Sequence, residues 1–375
     1  MLEIEKAEGV FMYGPSGEKY LDLVSGVSVS NTGHRHPKVV EAIKNQVDSY
    51  LHLMVYGEMI QTPQVKYAER LASLLPEKLC SVYFVNSGSE AVEGALKLAK
   101  RYTGRSQIIY FTNSYHGSTH AALSVQGNEK YRNAFRPLLP DTVQIDFNDF
   151  SSLDRIDDHT ACVIVEAIQA EAGVILPRTG FLELMREKCS KHGALLIFDE
   201  VQTGFGRIGT MFAITRYRVV PDILVLAKAL GGGMPLGAFI SSQEIMSSLT
   251  NNPQLGHITT FGGHPVCCAA GLASLEVIIE ERLAESCATK SAIFKRELRH
   301  PMIADIRGEG LLLAAQLRSP ENVQKVIANA PAYGLLLDYF IFCSDAFRIA
   351  PPLVISDDEI KYACRQLLLL LDDTK

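Results

Sequence analysis

Short apolar runs alternate with amphipathic stretches through the middle of this chain of 375 residues. Apolar runs bounded by polar residues and glycine favour buried strands, while apolar positions at helical spacing favour helices that pack against them. The runs predict strands at 82–85, 108–111, 143–145, 162–166, 194–198, 223–227 and 236–240. The helical spacing predicts helices at 64–75, 89–102 and 180–192. This alternation predicts an α/β fold with a mostly parallel, seven-stranded sheet covered by helices.

The last of these strands, 236–240, follows a glycine run with no helix in between, so we expect it to be antiparallel to its neighbours. The two ends of the chain have a different pattern. Residues 10–23 predict a hairpin, and a long helix at 265–281 is followed by strands near 311–317 and 335–343. Because the hairpin has no partner in the central pattern, we expect it to pack with the C-terminal unit.

A chain of this length is too long for a single small core, so we expect one large and one smaller domain. We place the large domain at 45–250. The smaller α+β domain is then formed by both chain ends, 1–44 and 251–375.

The composition narrows the class of protein. The apolar share is 47 % and the charged share is 21 %, which is typical of a globular enzyme. The net charge of −6 and the lack of a basic cluster argue against a nucleic-acid partner. No apolar run approaches the ~20 residues of a membrane span, and the first residues lack the pattern of a signal peptide. The apolar residues at 367–371 suit the tail of an amphipathic helix.

Eight cysteines are spread along the chain without a CxxC pair, and several of them lie in apolar runs such as 161–165. This distribution favours reduced, buried thiols, and therefore a cytoplasmic protein, over a set of disulfides. The two histidines of His34-Arg35-His36 have no nearby cysteine or carboxylate, so we expect a structural role for them and no metal site.

Polar residues end two strands of the predicted sheet. Asp199 and Glu200 follow one apolar run, and Lys228 follows another, with a glycine run directly after it. The carboxyl ends of parallel strands form the edge where open α/β sheets bind ligands. An acid and an amine on that edge suggest a carbonyl cofactor held through a Schiff base. The alternative is that these groups simply reach solvent or cap a helix.

Residues Asn86-Ser87-Gly88-Ser89-Glu90-Ala91 lie between a predicted strand and a predicted helix. A turn of small residues at a helix start offers free N–H groups and the positive end of the helix dipole, which suits a phosphate. The alternative is a plain N-cap, with Ser87 as the cap and Glu90 completing a capping box. The segment fits no nucleotide-binding motif.

Taken together, these segments resemble the class III pyridoxal-phosphate aminotransferases of fold type I, and the resemblance covers almost the whole chain. The most specific segments are residues 198–207, Phe-Asp-Glu-Val-Gln-Thr-Gly-Phe-Gly-Arg, and Lys228 with its glycines. The other matching segments are 33–37, 86–91, 115–117, 259–265 and 348–353.

The resemblance implies that pyridoxal 5′-phosphate is the cofactor. It implies that Lys228 forms the internal aldimine, that Asp199 pairs with the pyridine nitrogen, and that Gln202 contacts the ring 3′-oxygen. Tyr115 would stack on the ring, and Thr260 would reach the phosphate of a neighbouring subunit in a homodimer with shared active sites. The full set of implied cofactor contacts is Ser87, Gly88, Ser89, Tyr115, His116, Glu166, Asp199, Gln202, Lys228 and Thr260.

The resemblance also implies ping-pong transfer of an amino group to a 2-oxo acid. Arg348 would anchor the substrate carboxylate through a bidentate fork. Glu171 matches a family glutamate that pairs with this arginine. We therefore hypothesise a switch in which Glu171 masks Arg348 when a terminal amine enters and releases it for 2-oxoglutarate.

The segments around Glu171 and Arg348 are most similar to the acetylornithine and ornithine branch. Two positions depart from it: Ser118 stands where that branch usually has arginine, and Val27 where ornithine enzymes tend to have a substrate-contacting tyrosine, a role that Tyr56 would have to fill. Donors of the 4-aminobutyrate or lysine type therefore stay open. So do an aminomutase or racemase on the same scaffold and a cofactor-free binding protein.

Overall fold

The computed structural model of the protein describes residues 2–55, 57 and 59–374. Its strands are β1 (Lys6–Glu8), β2 (Phe11–Tyr13), β3 (Lys19–Asp22), β4 (Ser81–Val85), β5 (Gln107–Phe111), β6 (Thr142–Ile145), β7 (Thr160–Glu166), β8 (Leu195–Asp199), β9 (Ile223–Leu226), β10 (Gly237–Ser241), β11 (Ile303–Glu309), β12 (Leu312–Leu317), β13 (Leu335–Leu336), β14 (Asp338–Phe340) and β15 (Cys343–Ile349). Its helices are α1 (Ser25–Ser28), α2 (Pro37–Ser49), α3 (Thr62–Ala72), α4 (Gly88–Thr103), α5 (His120–Ser124), α6 (Phe181–His192), α7 (Ala213–Tyr217), α8 (Gln243–Ser247), α9 (Pro265–Glu280), α10 (Leu283–Glu297), α11 (Pro320–Asn329) and α12 (Asp357–Asp373).

The central sheet has seven strands in the order β4-β10-β9-β8-β7-β5-β6. The pairs along β9-β8-β7-β5-β6 are parallel, whereas β10 is antiparallel to both of its neighbours. Nearly every residue of β7, β8 and β9 is buried, as expected for strands covered on both faces. The predicted α/β architecture and the antiparallel last strand are confirmed.

Helix α4 covers one face of the sheet and begins at its ligand-binding edge. Its buried residues recur at helical spacing, and Gly94 lies so close to the ring of Phe239 on β10 that a Cβ would come within 2.3 Å of that ring. The helix ends at Gly104, which has a left-handed conformation that favours glycine. Close packing against β10 therefore fixes where the start of α4 lies.

The chain ends form two further four-stranded sheets, β1-β2-β3-β13 and β11-β12-β15-β14. The predicted N-terminal hairpin does pack with C-terminal residues, because β3 pairs in parallel with β13, Leu21 opposite Leu335. The single strand predicted at 335–343 is wrong: the chain divides there into β13, β14 and the start of β15, which belong to two sheets. Strand β11 was not predicted.

The four residues of α1 all have positive φ, between 54° and 66°, so α1 is a left-handed turn. A left-handed conformation is costly for the β-branched Val27 and persists only where surrounding contacts impose it. Those contacts are present: Asp22 Oδ1 accepts the N–H of Ser25 at 2.8 Å, and Ser25 Oγ donates to the carbonyl of Ala350 at 2.6 Å. The turn delivers the next residue, Val29, to the cavity described below.

The histidines of His34-Arg35-His36 both have carboxylate neighbours in the fold. His34 Nε2 lies 2.8 Å from Asp22 Oδ2, and His36 Nε2 lies 3.2 Å from Glu281 Oε1. These contacts join the N-terminal segment to itself and to the end of α9. Among the described residues, no helix has both the length and the apolar character that a membrane crossing requires.

Candidate active site

Three neighbouring strands end in ionisable residues at the rim of a cavity of about 510 Å³. Glu166 and Asp199 lie opposite each other in register at the ends of β7 and β8. Lys228 follows the end of β9, two residues after Leu226. All three ionisable side chains line the cavity. The structure thus brings the strand-end acid and the strand-end lysine to one rim.

The amine of Lys228 is buried, and its backbone is left-handed, with a φ of 51°. Burial lowers the pKa of Lys228 to about 8, although the nearby carboxylate of Glu171 opposes this shift. At weakly basic pH a large share of the amine is therefore neutral, which is the form that acts as a nucleophile or a base.

The carboxylate of Asp199 is held in a fixed orientation. Its Oδ2 lies 2.7 Å from Nδ1 of His116, and its Oδ1 accepts the N–H of Val201 at 3.0 Å. The second ring nitrogen of His116, Nε2, is buried and has no hydrogen-bond partner among the described residues. This arrangement presents a buried acid whose orientation is held by hydrogen bonds.

Glu200, next in sequence, caps a helix and does not face the cavity. Successive side chains of a strand point to opposite faces, and Glu200 accepts N–H groups of Ala213 and Ile214 at the start of α7. Burial raises the pKa of Glu200 to about 7. The acidic pair of the sequence therefore separates into one cavity residue and one helix-capping residue.

Glu166 ties two loops to the sheet. Its Oε1 accepts the N–H of Tyr115 at 2.9 Å, and its Oε2 accepts the N–H of Ala170 at 3.1 Å. Burial raises the pKa of Glu166 to about 7. One loop carries Tyr115 and His116 to the cavity, and the other leads directly to Glu171, so a single carboxyl group positions both.

The start of α4 opens onto the cavity through Ser87, Gly88 and Ser89. Ser87 Oγ accepts the N–H of Glu90 at 3.2 Å, so Ser87 is an N-cap. Glu90 Oε2 accepts the N–H of Asn86 at 2.8 Å and not that of Ser87, which leaves the predicted capping box incomplete. The helix start is thus capped and still presents first-turn N–H groups toward the cavity.

Gln202 stands between the cavity and a buried ion pair. It lines the cavity, and its amide uses both ends: Nε2 donates to Glu171 Oε1 at 2.7 Å, and Oε1 accepts from Arg348 Nη1 at 2.9 Å. Arg348 Nη2 lies 2.8 and 2.9 Å from the two carboxylate oxygens of Glu171. Arg348 is 1 % exposed and Glu171 3 % exposed, and neither lines the cavity in this state.

Electrostatics keeps this pair charged. Burial alone would raise the pKa of Glu171 and is the largest single effect on it, but the positive charges of Arg348 and Lys228, together with the hydrogen bonds from Arg348 and Gln202, outweigh burial and leave the pKa lowered. Arg348 also lies over the ring of Phe340, 4.7 Å from its centroid. A carboxylate that enters the cavity would have to displace Glu171 to reach the guanidinium.

Thr260, named from the sequence as a contact of the cofactor phosphate, lies elsewhere in its own chain. Thr260 is exposed, does not line the cavity of its own chain, and its carbonyl lies 2.8 Å from His52 Nε2. Tyr56 lies outside the described residues. The cavity is also lined by residues that were not named as site residues from the sequence. The only local signal for any of them is the glycine run 231–233, which precedes Met234, Pro235 and Leu236. These additional lining residues are Val29, Val201, Met234, Pro235 and Leu236.

The cavity residues fit pyridoxal phosphate. A buried amine, a buried acid for the ring nitrogen and an open helix start for the phosphate line one cavity. The helix start is tightly packed at Gly88, where a Cβ would come within 3.3 Å of the Cβ of Ala227. The unpartnered Nε2 of His116 adds a free polar atom in the same wall.

Comparisons with known proteins agree with this geometry. Residues 1–371 match the family model described as Aminotransferase class-III. The chain is 40 % identical to the acetylornithine aminotransferase of Methanopyrus kandleri, over 96 % of this chain and 92 % of that protein. It is 38 % identical to the LysW-aminoadipate semialdehyde/glutamate semialdehyde transaminase of Sulfurisphaera tokodaii, over 92 % of each chain.

A solved structure of the ornithine aminotransferase from Toxoplasma gondii, with partial occupancy of pyridoxal phosphate at its active site, superposes with a TM-score of 0.91. It is 31 % identical, and the match covers 100 % of this chain and 90 % of that one. The predicted fold type I architecture is confirmed by this likeness.

Proposed function

Because this chain belongs to the class-III aminotransferase family, whose cofactor is pyridoxal phosphate, we propose that it moves an amino group from an amino acid with a terminal amine to 2-oxoglutarate. The donor is of the acetylornithine or ornithine kind, and the two substrates react in turn by a ping-pong mechanism. The observation that carries this proposal is the buried pair of Glu171 and Arg348 behind Gln202. Such a pair suits a site that must accept substrates with and without a carboxylate next to the reacting amine.

Pyridoxal phosphate, when bound, supplies an electron sink for the pair released as the C–H bond breaks at the carbon that bears the transferred amine. Lys228 has the amine that binds the cofactor, since it is the only lysine among the described residues that line the cavity. Its neutral Nζ is also the base that takes the proton from that carbon, which is the terminal amine-bearing carbon of the donor. Asp199, supported by His116, holds a proton on the ring nitrogen.

Binding and orientation fall to the residues around these two. The start of α4, with Ser87, Gly88 and Ser89, holds the phosphate through backbone N–H groups. Tyr115 packs against the ring, and Glu166 keeps the loop of Tyr115 in place. Gln202 has a second amide hydrogen beyond the one it gives to Glu171, and this hydrogen serves the ring 3′-oxygen.

Glu171 and Arg348 choose between substrates. While they are paired, the guanidinium of Arg348 is occupied by Glu171. A terminal amine on an apolar chain can then enter without leaving Arg348 unsatisfied. When the 2-oxo acid enters, its carboxylate replaces that of Glu171 in the fork of Arg348. The exchange keeps the charge next to Arg348 unchanged, because one carboxylate substitutes for another at the same guanidinium.

We place this activity in a homodimer. Residues 51–55 with 59–60, and residues 255–261, expose apolar side chains, and the two regions adjoin through the rings of His52 and Phe261, whose centroids are 4.9 Å apart. A contiguous apolar patch of this kind marks a protein interface. The same surface carries the exposed Thr260, which is suited to reach the phosphate of a partner. The exposed apolar residues are Leu51, Leu53, Met59, Ile60, Leu255, Ile258 and Phe261.

The eight cysteines are all free thiols in the structure. Cys162, Cys268 and Cys364 are buried, and burial raises the pKa of each thiol. Unpaired buried thiols suit a reducing compartment, so we propose the cytoplasm as the location of the enzyme.

A panel of donors tests the function. Acetylornithine, ornithine, 4-aminobutyrate, lysine and ordinary α-amino acids are each added to the purified holoenzyme, and the change in cofactor absorbance is followed before and after 2-oxoglutarate. We expect conversion by terminal amines and recovery of the starting spectrum only with the 2-oxo acid. The Lys228→Ala variant is expected to lose at least about 100-fold in rate. A product that forms without any 2-oxo acid would contradict the proposal.

A further inference from the structure

The hairpin of β14 and β15 reaches from the C-terminal sheet to the active site. Its tip, Ile341 and Phe342, is tied to Glu171 twice: Ile341 N–H donates to Glu171 Oε2 at 3.2 Å, and Phe342 N–H donates to the Glu171 carbonyl at 3.0 Å. The hydroxyl of Tyr131 donates to the Ile341 carbonyl at 3.1 Å. Three hydrogen bonds therefore fix the backbone of Ile341 and the N–H of Phe342, directly before the Phe342 side chain.

The Phe342 ring stands between two spaces. On one side it contacts the ring of Tyr115, which lines the active-site cavity, with centroids 6.4 Å apart. On the other side it meets the ring of Tyr131 edge-on, with centroids 5.4 Å apart. Tyr131 and Phe342 line a separate groove of about 570 Å³, together with Ile327 and the exposed Tyr339. The row of three rings thus separates the cavity from the groove.

We propose that Phe342 is a specificity-determining residue that limits how long an amino donor the cavity accepts. This inference rests on the proposed function and adds a residue to it. A donor lies with its reacting amine at Lys228 and extends its chain along the ring of Tyr115, and the Phe342 ring, which packs against Tyr115 and does not line the cavity itself, stops it there. The stop is firm, because the ring is held by backbone hydrogen bonds to Glu171 and not by side-chain packing alone.

The chemistry of the wall favours an unbranched methylene chain. Aromatic rings offer apolar contact without hydrogen-bond partners, so a polar or charged group that reaches Phe342 loses its water without compensation. If Phe342 is truncated, the cavity and the groove become continuous, and the groove offers apolar surface to a longer chain. Each added methylene buried there is worth about tenfold or more in kcat/KM.

The test compares the holoenzymes of the unchanged protein, Phe342→Ala, Phe342→Leu and Ser344→Ala. Ser344 is exposed on the same hairpin, so its variant controls for general damage to the hairpin. The substrates are unbranched ω-amino acids of increasing length, starting from 4-aminobutyrate. We expect kcat/KM to fall beyond a certain length in the unchanged protein and in Ser344→Ala. In Phe342→Ala this limit should move to longer chains, with Phe342→Leu between the two.

A binding experiment gives a second readout that does not depend on turnover. Unreactive straight-chain monocarboxylates of the same lengths are titrated calorimetrically into each holoprotein. We expect Phe342→Ala to bind the longest of them about tenfold more tightly than the unchanged protein does. Circular dichroism establishes whether each variant is folded. If Phe342→Ala is unfolded, the comparison is made with Phe342→Leu.

The outcomes separate the two proposals. If the unchanged protein converts terminal amines but all four proteins share one length limit and one order of affinities, Phe342 is not the stop. If the unchanged protein converts no terminal amine at all, the proposed function fails, while the calorimetric length limit still decides the role of Phe342.

Discussion

Arg348 binds Glu171 through a single guanidinium nitrogen, Nη2, which lies 2.8 and 2.9 Å from the two carboxylate oxygens, while Nη1 donates to Gln202. Both side chains are buried, so neither charge is shared with water. Gln202 bonds to both of them and also lines the cavity. A movement of either side chain therefore changes the position or the hydrogen bonds of Gln202 in the cavity wall.

Replacement of Glu171 by glutamine should shift substrate preference. The amide keeps the shape but loses the charge that occupies Arg348, so the guanidinium becomes available to carboxylates. We expect the ratio of kcat/KM for α-amino acids to that for terminal amines to rise about tenfold, since a charge-assisted hydrogen bond is worth about 1.5–3 kcal/mol. Half-reaction rates for one donor of each kind measure this ratio. An unchanged ratio would contradict the hypothesis that Glu171 switches the availability of Arg348.

The depressed pKa of Lys228 predicts how uptake of cofactor depends on pH. The protonated amine cannot attack the aldehyde of pyridoxal phosphate, and burial keeps the amine neutral above about pH 8. For protein stripped of cofactor, we therefore expect the uptake rate to rise with pH and to level off above about 8. Stopped-flow absorbance measures the rate, with Lys228→Ala as the blank. A midpoint close to 10.5, the ordinary lysine value, would contradict the burial argument.

Loss of the Glu166 carboxylate should loosen two loops at once. In a Glu166→Gln variant one side-chain oxygen becomes an NH₂ group, so either Tyr115 or Ala170 loses its acceptor. A buried donor left without a partner costs about 1–3 kcal/mol. We expect weaker retention of pyridoxal phosphate, by about tenfold, and a lower Tm. Equilibrium dialysis and calorimetry are the measurements; the exposed Glu187→Gln on α6 is the matched control.

The dimer is tested by placing a charge in the apolar patch. Ile60 is 92 % exposed, and Ile60→Asp should weaken association if this patch is the interface. Leu369, also exposed but on α12, gives the matched control Leu369→Asp. Light scattering reports the mass of each variant. A dimer that survives Ile60→Asp and dissociates with Leu369→Asp would place the interface on α12.

Complementation between subunits tests the role of Thr260. If Thr260 serves the partner's site, a hybrid of Lys228→Ala and Thr260→Ala protomers contains one intact site, with Lys228 from one chain and Thr260 from the other. We expect mixing to restore cofactor affinity and activity that each variant lacks alone. No gain on mixing, with hybrids confirmed by mass spectrometry, would mean that Thr260 acts within its own chain or not at all.

The sequence was informative where the chemistry depends on strand ends. β8 and β9 are continuous apolar runs, so Asp199 and Lys228 could be placed on one rim without knowledge of any contact, whereas Glu166 at the end of β7 was named only through the family resemblance. The antiparallel β10 followed from the lack of a crossover after Lys228. These features depend on local pattern and on general rules of sheet topology.

The sequence was less informative where a site depends on distant pairing. The apolar run after Gly334 reads as one strand, but Leu335 pairs with Leu21 while Asp338 pairs with Arg348, which divides the run between two sheets. The same division creates the hairpin tip over Glu171. Nothing local marks the pairing of Leu335 with Leu21 or the contact of the hairpin tip with Glu171, because each joins segments more than 150 residues apart.

The pairing of β3 with β13 also has a consequence for how the protein is made. The N-terminal strand is translated more than 300 residues before the strand that completes its sheet, Leu335–Leu336. Until then β3 has one open edge, and such edges invite pairing with other chains. During synthesis this edge stays open until about nine tenths of the chain has been translated. We therefore expect the first strands to be bound by a chaperone, or to stay unfolded, until β13 has been made.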